Sequence, residues 1–325
     1  PSAAGTAEGD QAAARFGFST ASAGDVNGDG YADVIVGAFN FSNGQASEGR
    51  AFVYLGSASG LQTTATWTAE GDQAGVWFGA SVAGVGDVNG DGYADVIVGA
   101  LNYSNGQPQE GRAFVYLGSA TGLSATAAWT AESDLASARF GCSVASAGDV
   151  NGDGYADVIV GASHYTNGQT YEGRGFVYLG SPSGLSTTAA WIAESDQASA
   201  GFGFSVASAG DVNGDGYADV IVGAPWYTNG QSYEGMAFVY LGSASGLSTA
   251  AIWTAESDQA DAAFSLSVAG AGDVNGDGYA DVIVGVPSYE SGQFAEGRAF
   301  VYLGSASGLL TDRKSTRLNS SHVSQ

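Results

Sequence analysis

A fixed period of 62 residues constrains this chain more than any other feature. The stretch DVNGDGYAD occurs at Asp25–Asp33, Asp87–Asp95, Asp149–Asp157, Asp211–Asp219 and Asp273–Asp281, each start 62 residues after the last. Repeats of this length are supersecondary units that bury their apolar faces on one another, so the repeat decides the architecture first. The period that begins at Phe202 holds four short strand candidates: Phe204–Gly210, Ala218–Ala224, Gly235–Leu241 and Thr249–Ala255. The Asp/Asn/Gly loop, TNGQ (Thr228–Gln231) and SASG (Ser243–Gly246) separate them as turns. No 3.6-residue apolar stripe supports a helical reading, and 52 glycines oppose one.

Four strands per period predict an all-β β-propeller of four-stranded antiparallel blades. The first strand is rich in Ser, Ala and Gly, as crowding at the central axis requires. The second and third, DVIVG and AFVYLG, are apolar almost throughout, as strands covered on both faces should be. A parallel β-helix has a shorter period, and one unit alone buries too little surface for a string of independent domains. Residues 1–311 are expected to form the propeller. Five whole periods, with TAE at Thr6–Glu8 matching Thr68–Glu70, predict a five-bladed ring closed by an N-terminal strand beside Ala299–Leu303. Residues 312–325 leave the pattern, hold the only lysine, and resemble translated cloning sequence; they are expected to be disordered or artefactual.

Each nine-residue loop carries the chemistry of a hard cation site. Asp25, Asn27 and Asp29 place oxygens at alternate positions, the Tyr31 carbonyl adds a fourth, and Asp33 a carboxylate at position nine. Calcium takes six to eight such oxygens. The later sets are Asp87, Asn89, Asp91, Tyr93 and Asp95; Asp149, Asn151, Asp153, Tyr155 and Asp157; Asp211, Asn213, Asp215, Tyr217 and Asp219; and Asp273, Asn275, Asp277, Tyr279 and Asp281. Five calcium ions are therefore expected. Position twelve is Val36 where an EF-hand needs Glu, and a strand follows where an EF-hand has a helix. Magnesium would need high concentration and near-ideal octahedral geometry, and zinc would need the Cys or His that these loops lack.

The formal charge of −24 offers no basic footprint for nucleic acid. Fifteen of the 33 acidic residues are loop aspartates, so much of that charge belongs to metal sites. No apolar run reaches the length of a membrane span. A start at Pro1 without Met or leader suits a mature secreted form, and the single Cys142 leaves no intrachain disulfide. An extracellular or cell-surface location is expected.

Phe16–Gly17, the calcium loop and the Gly223–Pro225 GAP triplet together resemble the FG-GAP repeats of integrin alpha-chain β-propellers, over residues 1–310. FG also stands at Phe78–Gly79, Phe140–Gly141 and Phe202–Gly203, while the fifth copy reads Phe264–Ser265. The third GAP residue is Pro225 and Pro287 in two copies but Phe39, Leu101 and Ser163 in the others. The resemblance implies calcium in hairpin loops on one face, and rings that usually have seven blades. It implies adhesion and ligand recognition, in some proteins beside catalytic domains.

Other residues have plainer readings. Trp67, Trp129, Trp191 and Trp253 share one repeat position, with Gly5 in the fifth, and are expected to pack between blades. Trp77 and Trp226 break the period; with Tyr227 they are the candidate ligand contacts, to a glycan or a protein. Glu48, Glu110, Glu172, Glu234 and Glu296 precede Gly in the most variable turn, and four are followed by Arg. A local pair such as Glu48 with Arg50 is expected, with ligand contact as the alternative. His164 reads as a rim residue and Cys142 as a buried thiol, since its counterparts are apolar. No catalytic arrangement stands out, so no enzymatic activity is expected. The chain reads as a calcium-stabilised binding or adhesion module. The alternative is a structural or self-associating module, or a support for the missing domains of a larger secreted protein.

Overall fold

The computed structural model describes residues 6–310, and the regular structure there is all β. The first blade comprises β1 (Phe16–Gly24), β2 (Asp33–Ala38), β3 (Arg50–Tyr54) and β4 (Trp67–Glu70). The second comprises β5 (Phe78–Gly86), β6 (Asp95–Ala100), β7 (Arg112–Tyr116) and β8 (Trp129–Glu132). The third has β9 (Phe140–Gly148), β10 (Asp157–Ala162), β11 (Arg174–Tyr178) and β12 (Trp191–Glu194). The fourth has β13 (Ser205–Gly210), β14 (Asp219–Ala224), β15 (Met236–Tyr240) and β16 (Trp253–Glu256). The fifth has β17 (Ser267–Gly272), β18 (Asp281–Val286) and β19 (Arg298–Tyr302). Each sheet is an antiparallel meander in chain order.

The strand characters follow from their neighbours. The inner strands β1, β5, β9, β13 and β17 pack in series, and their small residues allow that approach. β6, β10 and β14 are buried at every position, which suits the unbroken DVIVGA run. The fourth strand is only four residues long, Trp253–Glu256 in the fourth blade where Thr249–Ala255 was expected. Glycine pairs explain the motif letters. A Cβ on Gly37 would lie 2.0 Å from the carbonyl oxygen of Gly79, so the glycine near the end of one second strand abuts the glycine of the next FG. In the fifth copy Ser265 replaces that glycine with φ 67°, and its hydroxyl donates to the Met236 carbonyl (2.7 Å) and accepts from the Ala224 N–H (3.1 Å). Those bonds hold a serine in a backbone conformation that otherwise favours glycine.

The core lies between blades rather than within them. Ile97, Val115 and Trp129 of the second blade pack with Phe140, Val158, Val160 and Tyr178 of the third. The same arrangement recurs at the neighbouring interfaces. Each blade therefore depends on the next for burial of its apolar face.

The expected five-bladed closure is corrected by the structure. The fifth sheet ends at β19 with three strands, and Thr6–Glu8 belongs to no strand. Residues 6–10 instead border a hollow on the first blade with Phe41, Arg50, Phe52 and Tyr54. Three interfaces share the glycine–glycine contact and the fourth pairs Gly223 with Ser265, and the inner strands pack in series from β1 to β17, which leaves the outermost blades unpaired. The exposures show it: Val26, Val88, Val150 and Val212 are at most 1% exposed, whereas Val274 at the same place in the fifth blade is 56% exposed. At the other end Phe16 is half-buried, while Phe78, Phe140, Phe202 and Phe264 are fully buried. Gly5 and the tail 312–325 lie outside the described residues.

Candidate functional site

The nine-residue loops join the first and second strands of every blade, at one rim. Their hydrogen bonds are local. Asp149 accepts from the N–H of Gly152 (2.7 Å), Asp153 (3.1 Å) and Gly154 (2.8 Å). Asn151 Oδ1 accepts the Asp153 N–H at 3.1 Å, its amide donates to Asp153 Oδ2 at 2.9 Å, and Asp153 Oδ1 accepts the Tyr155 N–H at 3.0 Å. The residues at positions one, three and five are thus gathered at the loop tip, and the other four loops repeat this arrangement.

Position nine lies beneath the tip. Asp33, Asp95, Asp157, Asp219 and Asp281 are fully buried. Asp157 accepts the Val150 N–H at Oδ2 and the Gly180 N–H at Oδ1, both at 2.8 Å, so it ties the loop to the turn after the third strand. Each carboxylate oxygen keeps a further lone pair. Burial pushes Asp95 and Asp157 up to about 6 and Asp219 up to about 7; the neighbouring loop aspartates push the same way, and the two N–H donors oppose it. Asp33 is raised by the same causes. Among the described residues no Arg forms an ion pair with a loop aspartate. A buried carboxylate under two others, without a cationic side chain, fits a hard cation. Asp, Asn and backbone oxygens would hold the ion, and the ion would supply the charge that lets the three carboxylates stay ionised together.

The loops also touch one another. A Cβ on Gly152 would lie 2.7 Å from the ring of Tyr217 in the next loop, and Gly28, Gly90 and Gly214 meet Tyr93, Tyr155 and Tyr279 likewise. The Ala218 N–H donates to the Asp149 carbonyl at 2.9 Å, and Ala94, Ala156 and Ala280 donate across their interfaces in the same way. Position four must therefore lack a side chain for two reasons: positive φ and room for the neighbouring tyrosine.

The opposite rim carries the turns between second and third strands. The expected Glu48–Arg50 pair does not form. Arg50 lies across from Glu70 in the β3–β4 register and pairs with it at 2.7 Å, as Arg112 does with Glu132 (3.5 Å) and Arg174 with Glu194. Glu48 is fully buried under its own turn, where Oε1 accepts the Asn43 N–H. Glu110 and Glu172 repeat this, with Asn105 and Asn167 as donors. The arginines also lie over rings, Arg174 at 4.1 Å from the centroid of Tyr165.

On this rim a cleft of about 280 Å³ is lined by Ser163, His164, Tyr171, Ser199, Trp226 and Tyr233. Trp226 packs edge-on against Phe204, and the His164 ring lies 4.9 Å from that of Tyr171. Burial lowers His164 to about 4, with the Arg139 charge adding to the effect. Tyr171 and Tyr233 are exposed and held at φ 54° and 50°. The other two aromatic candidates lie elsewhere: Trp77 is exposed beside Phe39, and Tyr227 packs against Phe238. Sequence reading missed His164, Tyr171 and Tyr233 as neighbours of Trp226. The one local signal was Tyr at 171 and 233 where other repeats have Ser47, Gln109 and Ala295.

Trp129, Trp191 and Trp253 are buried against Tyr178, Tyr240 and Tyr302 of the following blades, as expected of inter-blade residues. Cys142 is half-buried as a residue, but its Sγ lies inward on an inner strand near the carbonyls of Gly161 and Gly203, and burial raises the thiol, as expected.

The FG-GAP repeat family model matches residues 16–54, 78–116, 140–178, 202–240 and 264–302. Integrin alpha-4 of Xenopus laevis is 35% identical over 196 residues, covering 59% of this chain and 18% of that protein. Integrin alpha-PS2 of Drosophila melanogaster is 34% identical over 216 residues (62% of this chain, 14% of that protein). Integrin alpha pat-2 of Caenorhabditis elegans is 35% identical over 227 residues (64% and 18%). The chain thus spans less than a fifth of the length of these relatives. FG-GAP propeller repeats are non-catalytic modules, in accord with the absence of any expected catalytic set. With five matched repeats at the spacing of its five sheets, this chain belongs to the FG-GAP repeat family and has its integrin alpha-like β-propeller fold.

Proposed function

We propose that the chain is a calcium-stabilised extracellular adhesion module that recognises its ligand at the rim opposite the calcium loops. The cleft around Trp226 carries this reading. Three aromatic rings and an imidazole converge there with two serines, a composition suited to a sugar ring or a peptide side chain. Calcium in the five nine-residue loops is structural: the loops stack on one another, so each ion braces an interface between blades. The similarity to integrin alpha chains supports adhesion at a cell surface. Among the described residues no helix is long and apolar enough to cross a membrane.

Screening the calcium-loaded chain on glycan and peptide arrays tests this, with Trp226→Ala as comparison. Selective binding lost in Trp226→Ala supports the cleft; binding unchanged in that variant places recognition elsewhere.

A second reading, a self-associating module, is favoured by the uncovered outer blades. The face bearing Val274 repeats the faces that are buried inside the molecule, and the face bearing Phe16 repeats their partners. A head-to-tail contact would match each with its own kind of partner.

A further inference from the structure

We infer that the cleft around Trp226 holds one ring of an uncharged sugar rather than a peptide, which rests on the reading of that cleft as the recognition site. The backbone of the cleft offers a peptide little. Its six lining residues all lie in turns, so there is no strand edge to which an extended chain could add. Their N–H groups are already engaged. Ser163 donates to Cys142 Sγ (3.4 Å), His164 to the Ala138 carbonyl (3.2 Å) and Tyr171 to Thr166 Oγ1 (3.0 Å). Ser199 donates to the Thr170 carbonyl (2.8 Å), Trp226 to the Ala200 carbonyl (3.2 Å) and Tyr233 to Thr228 Oγ1 (3.1 Å). Recognition is left to side chains.

Those side chains carry no charge at neutral pH. No Asp, Glu, Lys or Arg lines the cleft, and burial keeps His164 neutral. Arg139, whose charge acts on His164, is not among the lining residues. A charged ligand group would therefore find no counter-ion there, and the formal charge of −24 repels anions. What the cleft does offer matches a pyranose. The C–H face of such a ring stacks on aromatic side chains, and its hydroxyls both donate and accept. Ser163 Oγ and His164 Nδ1 share a hydrogen bond of 3.1 Å, which orients the imidazole and leaves Nε2 for a ligand. Among the described residues nothing bonds Ser199 Oγ or the hydroxyls of Tyr171 and Tyr233.

The rings are also set in place before a ligand arrives. The threonine hydroxyls pin the backbone of both tyrosines in the left-handed region. A Cβ on Gly201 would lie 2.6 Å from the Trp226 ring, and the other blades have Arg15, Trp77, Arg139 and Ala263 at that repeat position. Glycine at 201 thus gives the indole its place. A preformed cleft loses little freedom on binding. Its volume of about 280 Å³ falls just below the range of about 300–1,000 Å³ that larger ligands occupy, which suits one sugar ring.

Titration calorimetry on the calcium-loaded full chain tests the assignment. The probes are methyl glycosides of neutral hexoses and N-acetylhexosamines, a methyl hexuronide, and capped tripeptides with a central aromatic residue. At least one neutral glycoside should bind, at least tenfold tighter than the uronide of the same configuration. Trp226→Ala should abolish that binding, and Ser199→Ala should weaken it several-fold. Should Trp226→Ala fail to fold, Tyr171→Ala and Tyr233→Ala, at exposed positions, decide in its place. Binding of tripeptides alone, a uronide that matches its neutral counterpart, or no neutral glycoside bound overturns the sugar assignment. Tripeptide binding that is lost in Trp226→Ala would still leave the cleft as the recognition site. Neutral glycoside binding that is unchanged in Trp226→Ala overturns both.

Discussion

At the residue scale, glycines four and six of the loop look alike in sequence but carry different burdens. Gly152 has φ 73° and faces the Tyr217 ring, whereas Gly154 has φ 90° and open space around it. Gly154→Ala should cost only the left-handed backbone penalty, about 1–2 kcal/mol. Gly152→Ala adds a clash that must displace Tyr217, so its urea midpoint should fall clearly below that of Gly154→Ala. Equal losses would mean that the loops do not support one another. His164 offers a pH test. Between pH 6.5 and about 4 the unfolded chain holds a proton on this ring that the folded chain excludes. Its contribution to stability is therefore complete above 6.5 and lost as pH falls toward 4. His164→Gln should remove that part of the slope, and parallel stability curves for parent and variant would contradict the burial argument. The gathering of Asp149, Asn151 and Asp153 at one loop tip was legible because these residues alternate over a short stretch. The second duty of Gly152 was not, since Tyr217 is one repeat away in sequence.

At the scale of strands and turns, burial between blades makes the tryptophan position the main test. Trp129 is buried, stacks edge-on with Tyr178 at 4.8 Å, and donates from Nε1 to the Ser186 carbonyl at 2.9 Å. Trp129→Phe keeps an apolar ring but leaves that carbonyl without its donor, which should cost about 1 kcal/mol or somewhat more. Trp129→Ala should cost about 3–5 kcal/mol by opening a cavity. Urea unfolding of both variants measures this, and a neutral Trp129→Ala would remove the tryptophan from the inter-blade core. Strand existence and order were legible in the apolar runs and turn residues. The Glu48 assignment failed because sequence proximity to Arg50 is irrelevant once register sets Arg50 opposite Glu70. Strand pairing is non-local, and a repeat shows its period without showing its register.

At the scale of the whole molecule, the period gave the number of blades but not the closure. Ring closure depends on the angle between blades, which no local pattern encodes. The two uncovered faces should make the chain associate with rising concentration. Sedimentation velocity over a wide concentration range should show species larger than one chain, and Val274→Asp should shift them toward monomer. A monomer at every concentration would count against the self-associating reading. The nine-residue loops tie the three scales together, because they join their own strands, the turn after the third strand, and the loop of the next blade, and the calcium proposed for them would brace all three. Anomalous diffraction from crystals grown in saturating calcium tests that account most directly. The expected result is a peak in each of the five loops, within about 2.3–2.6 Å of oxygens from Asp149, Asn151, Asp153, Tyr155 and Asp157 or their counterparts. Empty loops in calcium-replete crystals would contradict it.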